Sequence, residues 1–178
     1  MTPLATRAWL DQDDQLTADL VRRYGWRTVH VAGVDAGVCP PNCPCADDVL
    51  PGEPPAPDFT YTVGLFGLGH PELLIFSRPA MEAGRILNEL GGRVRAGENL
   101  LPGRPLSLSS WGRRVVTEQV PNPGEVVVVA NRFYVRPPAD SVPVLQLSYD
   151  DPDGHFPWQP GYSEAAGRQP RPGTFWAS

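Results

Sequence analysis

The sequence lacks several features that would place the protein in a common functional class. No run of apolar residues approaches membrane-spanning length, and the N-terminus does not have the layout of a signal peptide. The formal net charge is −5 and the basic residues form no cluster, which argues against a nucleic-acid backbone as partner. We therefore expect a cytoplasmic protein that binds neither membranes nor nucleic acids.

Common catalytic motifs are also missing. The chain contains no serine or cysteine nucleophile motif, no phosphate-binding glycine fingerprint and no internal repeat. Strand and helix patterns do not alternate in the regular way that builds a parallel sheet. These absences remove the simplest hydrolase classes and favour an α+β fold.

Proline and glycine, in contrast, are abundant, since 22 prolines and 18 glycines stand among the 178 residues. Much of the chain must therefore be loop, although its length suits a single domain with its own core. We predict a flexible arm at 1–11, one α+β domain at 12–162 with a Cys- and Pro-rich loop at 35–58, and a tail at 163–178.

Two segments have the spacing of amphipathic helices. The first runs from about Asp13 to Tyr24, and the second follows Ser77. The second helix has an apolar stripe of five residues: Ala83, Ile86, Leu87, Leu90 and Val94. Gly91 and Gly92 weaken the middle of this helix, which is expected where another backbone or a ligand approaches closely.

Strand patterns surround the second helix. They cover six segments: residues 26–34, 59–65, 73–76, 115–120, 125–130 and 144–149. Together with the two helices, they predict an α+β fold with a mostly antiparallel sheet, one long helix, an N-terminal helix and Pro/Gly-rich loops.

One stretch places polar residues between two of these strands. Residues 59–65 alternate like a half-buried strand, and 73–76 form the continuous apolar run of a strand buried on both faces. The short glycine-rich link predicts that the two strands are adjacent or nearly so. The link also holds His70 and Glu72 on either side of Pro71, where an extended backbone points both side chains the same way.

His70 and Glu72 are the candidate catalytic residues of this stretch. A histidine is suited to act as a general acid or base near neutral pH, and Glu72 is able to orient it or act beside it. Three further residues are candidates for ligand binding in the same cleft: Tyr61, His155 and Trp158. The alternative is a structural corner in which His70 hydrogen-bonds a backbone carbonyl.

His155 and Trp158 follow the sequence Asp-Pro-Asp-Gly at 151–154. Proline fixes φ at its second position and glycine accepts a positive φ at its last, so we predict a turn there rather than a metal site.

The long loop holds three candidate metal ligands with the spacing C-x3-C-x-C: Cys39, Cys43 and Cys45. Three thiols within seven residues are able to converge on a structural zinc ion, for which His30, Asp47 or a more distant histidine would supply a fourth ligand. The alternative is a proline-rich loop with incidental cysteines.

Several short motifs extend over most of the chain: Tyr61–Leu65, Gly69–Leu73, Ile86–Asn88, Gly97–Glu98, Leu145–Leu147 and Asp153–Trp158. As a set they resemble the bacterial domain-of-unknown-function family 4262, and the resemblance spans about residues 24–162. That family name implies no activity, so the function has to be inferred from the residues themselves.

Three functional hypotheses follow. The first is an enzyme or small-ligand binder with a cleft at His70 and Glu72, whose partner is a small molecule. The second is a non-catalytic interaction module or partner subunit of another enzyme, which the acidic charge and the proline-rich arms favour. The third is a metal protein that uses the three cysteines of the long loop. A buried His70 with both ring nitrogens bonded to main chain would favour the second. The sequence leaves the oligomeric state open.

Overall fold

The computed structural model describes residues 3–33 and 56–175 of the chain. This part contains three α-helices: α1 (Pro3–Tyr24), α2 (Ala80–Arg95) and α3 (Val128–Phe133). It also contains six strands: β1 (Arg27–Val31), β2 (Phe59–Val63), β3 (Glu72–Phe76), β4 (Pro105–Ser107), β5 (Arg114–Gln119) and β6 (Val144–Tyr149). No helix in these two ranges is both long enough and apolar enough to cross a membrane.

The six strands form one sheet in the order β1-β2-β3-β6-β5-β4. The pairing of β3 with β6 is parallel, and the other four pairings are antiparallel. The predicted α+β class is confirmed, but the prediction of a mostly antiparallel sheet is wrong, because the sheet is mixed. Its centre is parallel because α2, β4 and β5 lie between β3 and β6 in the chain, so that β6 returns beside β3 in the same direction.

The predicted neighbouring strands are β2 and β3. They pair antiparallel with Tyr61 opposite Leu74, which confirms the prediction. All five residues of β3 are buried, as the continuous apolar run predicted. β2 is buried on both faces as well, so the half-buried strand predicted from its alternation is wrong. Thr60 and Thr62 are buried because a hydrophobic core covers each face of the sheet.

Each face of the sheet has its own hydrophobic core. On one face α2 buries the predicted stripe, including Ile86, Leu87 and Leu90. On the other face lie α3 and the residues before it. Residues 125–130 were predicted as a strand, but they lead into α3 instead. They have no place in the sheet, because β4 and β6 already occupy both edges of β5.

α1 begins at Pro3, about ten residues earlier than predicted, and so includes most of the segment that we predicted as an arm. Ion pairs made by Asp13 and Asp14 attach its middle to the rest of the protein. The carboxylate of Asp13 lies 2.6 Å from a guanidinium nitrogen of Arg27 and 2.6 Å from one of Arg132. Thr17 is fully buried in the same contact. The helix is therefore fixed against β1 and α3.

The C-terminal segment, predicted as a tail, packs on the sheet as far as the structure describes it. The ring of Phe175 meets those of Phe59 and Phe76 at centroid distances of 5.3 and 4.9 Å. Arg171 pairs with Glu118 of β5. This segment therefore covers part of the second core.

Gly91 of α2 makes room for the ring of Trp26. A Cβ atom added at Gly91 would lie 2.6 Å from Cε2 of that ring. A Cβ atom added at Gly92 would meet nothing within 4 Å. A close approach is thus confirmed at Gly91, but an indole ring makes it rather than the backbone or ligand predicted from the glycine pair.

We expect Gly91→Ala to lower the free energy of unfolding by about 1–2 kcal/mol. Overpacking against Trp26 costs roughly 1–3 kcal/mol, which exceeds the roughly 0.5–1 kcal/mol that alanine gains over glycine in a helix. Gly92→Ala is the matched control, and we expect it to stabilise the protein by about 0.5–1 kcal/mol. Urea denaturation measures both effects. Equal changes in the two variants would contradict the packing argument.

Candidate functional site

Glu72, the first residue of β3, has a fully buried side chain. Its Oε1 atom accepts hydrogen bonds from the backbone N–H groups of Gly64 (2.8 Å) and Phe66 (3.1 Å). Its Oε2 atom accepts from the hydroxyl of Thr62 (2.6 Å) and the N–H of Leu65 (3.2 Å). Burial raises the pKa of Glu72 to about 7, and these four hydrogen bonds oppose that shift. The carboxylate therefore fastens the turn after β2 to the start of β3.

His70 is also buried, with 5% of its surface exposed. Its Nδ1 atom lies 2.7 Å from the carbonyl oxygen of Pro71, and Nε2 accepts the N–H of Leu100 at 3.3 Å. These contacts assign a neutral ring with its proton on Nδ1, and burial lowers the pKa of His70. Both ring nitrogens are engaged by main chain, which is the arrangement described above for a structural corner. We call residues 64–72 the Glu72 corner.

The structure does not bring the other candidate residues to this corner. His70 precedes β3, whereas His155 and Trp158 follow β6, which runs parallel to β3. They therefore lie beyond opposite ends of strands that are about 17 Å long. Tyr61 is buried in β2, its hydroxyl accepts the N–H of Val129 at 3.2 Å, and burial raises its pKa to about 12.

Asp151 organises the turn that follows β6. Its carboxylate accepts the N–H groups of Asp153 (3.0 Å), His155 (2.8 Å) and Ser163 (2.8 Å). Burial acts to raise the pKa of Asp151, but these hydrogen bonds outweigh it and lower the pKa to about 2. Gly154 has a φ of 86° and donates its N–H to the carbonyl of Asp151, so the predicted turn is confirmed.

Trp158 lies at the surface of the same turn, with 44% of its area exposed. Its ring stacks on Phe156 at a centroid distance of 5.0 Å, and the guanidinium of Arg171 lies 4.6 Å from its centroid. Trp158 is thus part of a surface stack.

The three candidate zinc ligands lie outside the described residues: Cys39, Cys43 and Cys45. Asp47 also lies outside them, so the metal site stays a prediction. His30, the other candidate fourth ligand, has its Nδ1 atom 2.9 Å from the hydroxyl of Thr60. Within the described ranges, no group of three or more His, Cys, Asp or Glu residues is arranged to hold a metal ion.

A different polar region lies at the carboxyl ends of β3 and β6. Their pairing stops at Ile75 and Leu147. Beyond it, the backbone N–H and C=O of Tyr149 pair with the side-chain amide of Gln169 at 2.9 and 3.0 Å. The chain leaves β3 through Ser77, whose φ of 50° is uncommon for a residue other than glycine. In open α/β sheets, the ends of neighbouring parallel strands are the usual place for a ligand.

Four side chains at these strand ends form what we call the arginine–aromatic cluster: Arg78, Trp111, Arg113 and Tyr149. The two rings meet edge to face at a centroid distance of 5.1 Å. The guanidinium carbon of Arg78 lies 4.9 Å from the Tyr149 centroid and 5.8 Å from the Trp111 centroid. That of Arg113 lies 5.8 Å from both. Two positive charges therefore share one pair of rings.

The two arginines differ in their counter-charges. Arg113 donates from Nη1 to Oε1 of Glu164 at 2.5 Å. Arg78 donates from Nε to the carbonyl of Ser77, and its Nη1 atom lies 3.9 Å from Oε2 of Glu82. Only 11% of the Arg78 side chain is exposed. Arg78 is therefore a largely buried cation whose Nη1 and Nη2 groups make no hydrogen bond to any residue that the structure describes.

A groove of about 460 Å³ lies between α1, β1 and α2, and we call it the Trp26 groove. Leu20 and Tyr24 of α1 border it, and the indole N–H of Trp26 donates to Oδ1 of Asn88 at 2.9 Å. Arg95 of α2 donates to the carbonyl of Tyr24 at 3.2 Å. The described residues that line the groove include two arginines and no carboxylate.

Sequence reasoning missed Arg78 and the Trp26 groove. A signal for Arg78 existed, because a charged residue only two positions after a fully buried strand starts from a backbone at the edge of the core. Gly91 indicated a close approach to α2, but it did not indicate which side chain makes the approach. The rings that contact Arg78 (Trp111 and Tyr149) and the ring that contacts Gly91 (Trp26) all lie far away in the chain.

The fold and these sites define an α+β protein with a mixed six-stranded sheet. A structural corner lies at one end of its central strands, and the arginine–aromatic cluster lies at the other end. The chain belongs to the family described as Domain of unknown function (DUF4262), whose family model matches residues 20–163. The resemblance predicted from the sequence motifs is thereby confirmed. Neither the curated proteins nor the solved structures contain a match to the chain.

Proposed function

We propose that the protein is a non-catalytic binder of a small anion, held by Arg78 through a carboxylate or phosphate group. The guanidinium of Arg78 carries this proposal, because it is largely buried and no carboxylate oxygen of a described residue lies closer than 3.9 Å. Removing a charge from water is costly unless the charge is paired. The ring of Tyr149 offsets part of that cost. An anion that accepts from Nη1 and Nη2 together would offset the rest in the bidentate geometry that guanidinium groups favour.

The surroundings of Arg78 support an anion rather than a cation. α2 begins at Ala80, two residues after Arg78, so the positive end of its dipole faces the same region.

The carboxylates near the cluster are already paired. Arg113 holds Glu164, and Arg114 holds Asp150 at 2.7 Å. Among the carboxylates that the structure describes, only Glu82 faces Arg78, and at 3.9 Å it is too distant for a hydrogen bond. An incoming anion would compete with Glu82 alone.

The hydrogen bonds within the Glu72 corner argue against catalysis at His70, and so they favour a binding function at another site. A general acid or base needs a proton position within reach of the substrate. Both ring nitrogens of His70 contact main chain, and both oxygens of Glu72 accept two hydrogen bonds each. Neither side chain presents a vacant position.

We expect inorganic phosphate or succinate to raise the melting temperature of the protein relative to potassium chloride at equal ionic strength. An anion at a hundred times its Kd stabilises by about 2.7 kcal/mol, which corresponds to roughly 5–10 °C for a chain of this size. Arg78→Met should remove the response, because methionine keeps the apolar stem and lacks the donors. Arg85→Met, on the exposed face of α2, is the matched control and should keep it. Differential scanning fluorimetry measures all three proteins.

Without added anion, Arg78→Met is expected to be at least as stable as the wild type. Losing a poorly paired buried cation offsets the lost contact with Tyr149. If the variant instead lost about 2 kcal/mol or more, and the wild type responded to neither anion, Arg78 would be a structural cation–π contact and the proposal would fail.

A further inference from the structure

α1 carries an apolar strip that the described part of the protein leaves uncovered. Trp9, Leu16, Leu20 and Tyr24 follow one another at intervals of seven, four and four residues, which places them on one face of the helix. Trp9, Leu16 and Tyr24 are 57%, 50% and 52% exposed. Single exposed apolar residues are common, but a strip of four beside a groove is typical of an interaction surface.

We propose that the chain forms a symmetric homodimer in which two α1 helices pack antiparallel about Leu16 and each Trp9 enters the Trp26 groove of the other protomer. This interface is separate from the arginine–aromatic cluster, so it goes beyond the proposed anion binding.

The spacing of the strip favours a second copy of the chain as the occupant. Leu16 stands nearly midway, since Trp9 precedes it by seven residues and Tyr24 follows it by eight. These intervals correspond to about 10 and 12 Å along the helix axis. A two-fold axis at Leu16 therefore sets Trp9 of one protomer against Tyr24 of the other, at the mouth of the Trp26 groove. The same surface then serves both protomers, as a two-fold interface requires.

The helix dipoles favour an antiparallel pairing. Antiparallel neighbours set the positive end of each helix beside the negative end of the other, whereas parallel neighbours bring like ends together. The aspartates in the middle of α1 do not contribute to this preference, because Asp13 and Asp14 pair with arginines of their own chain.

The Trp26 groove suits an aromatic side chain. Its volume is about 460 Å³, and Leu20, Tyr24 and Trp26 supply apolar surface. The guanidinium of Arg23 lies 5.9 Å from the centroid of Tyr24, at the end of the helix that Trp9 of the other protomer would approach. Arginine favours contact with the face of an indole ring. Trp9 lies in an exposed stretch of α1, residues 4–9, and is therefore accessible to a second protomer.

Sedimentation equilibrium of the full chain tests the homodimer. We expect a concentration-dependent species of twice the chain mass. Leu16→Glu should abolish it, because two carboxylates would face each other at the symmetry axis. Trp9→Ala should weaken the dimer by at least about tenfold, because a buried aromatic side chain at an interface usually carries much of the affinity. Leu4→Glu is the matched control: Leu4 is 81% exposed on the other side of α1, and the dimer should persist.

The circular dichroism spectrum of Leu16→Glu should match that of the monomeric wild type, since Leu16 is half exposed in a single chain. The melting temperature of the wild type, but not of this variant, should rise with protein concentration. A wild type that stays monomeric up to about 1 mM would overturn the proposal. A dimer that survives both Leu16→Glu and Trp9→Ala would equally overturn it, because the interface would then lie elsewhere.

Discussion

Glu72→Leu should unfold the protein or lower its free energy of unfolding by roughly 4 kcal/mol or more. The variant removes the acceptor of four buried donors: the hydroxyl of Thr62 and the N–H groups of residues 64–66. Each buried donor that is left unpaired costs about 1–3 kcal/mol. Glu72→Gln keeps one acceptor oxygen, so at least one N–H then faces an amide nitrogen, and we expect a loss of about 1–3 kcal/mol. Urea denaturation at about pH 5, below the pKa of about 7 that burial gives Glu72, should therefore rank the wild type above Gln and Gln above Leu.

Glu89→Gln is the matched control for Glu72. Glu89 also accepts two backbone hydrogen bonds, from Ser109 and Ser110 at 2.7 Å each. It lies at the partly exposed face of α2, where water is able to replace a lost hydrogen bond. We expect its loss to stay below about 1 kcal/mol. A Glu72→Leu variant as stable as the control would show that the corner does not depend on this carboxylate.

The pH dependence of stability should identify the same carboxylate. Because burial raises the pKa of Glu72 from 4.5 to about 7, the native state binds this proton more tightly than the unfolded state does. The resulting stability is fully present below about pH 4.5 and is lost as pH rises through 7, roughly 3 kcal/mol in all. Glu72→Gln should remove this loss.

At low pH two other carboxylates act in the opposite direction. Hydrogen bonds outweigh burial and lower the pKa of both Asp151 and Glu89 to about 2. Their contribution is present above the ordinary carboxyl pKa and is lost as the pH falls towards 2. Denaturation midpoints measured across pH should therefore be highest near about pH 5.

The sequence predicted the strands around the Glu72 corner because their signals are local. An apolar run and a short glycine-rich link leave few alternatives to two neighbouring strands. The role of Glu72 is not local in the same way. A carboxylate beside a histidine is compatible with both catalysis and buried hydrogen bonding, and the choice depends on where the N–H groups of residues 64–66 point.

The errors in the predicted fold also come from contacts between segments that are far apart in the chain. Residues 125–130 have the β-branched composition of a strand, yet β5 already has two neighbours, and one of them, β6, comes later in the chain. The parallel pairing of β3 with β6 likewise joins segments that are about seventy residues apart. Local propensity does not encode such a neighbour, so the mixed sheet and α3 could not be predicted from periodicity.

Gly64→Ala should destabilise the protein by roughly 4 kcal/mol, for a reason independent of hydrogen bonding. Gly64 has a φ of 135°, which L-residues rarely adopt, and such backbone strain costs about 1–3 kcal/mol. An added Cβ would lie 2.5 Å from the carbonyl oxygen of Gly25 and 2.6 Å from Cα of Trp26. Both are backbone atoms, so no flexible side chain is able to move aside, and the overpacking adds about 1–3 kcal/mol.

Gly69→Ala separates the two contributions to the Gly64 effect. Gly69 has a φ of 79°, but an added Cβ would meet no atom within 4 Å. We therefore expect a loss of about 1–2 kcal/mol from the backbone conformation alone. Urea denaturation gives the loss in free energy of unfolding for each variant. The difference between the two losses is the destabilisation that comes from the close approach of residues 25 and 26 to the Glu72 corner. Equal losses would mean that this approach contributes nothing, and that Trp26 is positioned by Gly91 and Asn88 alone.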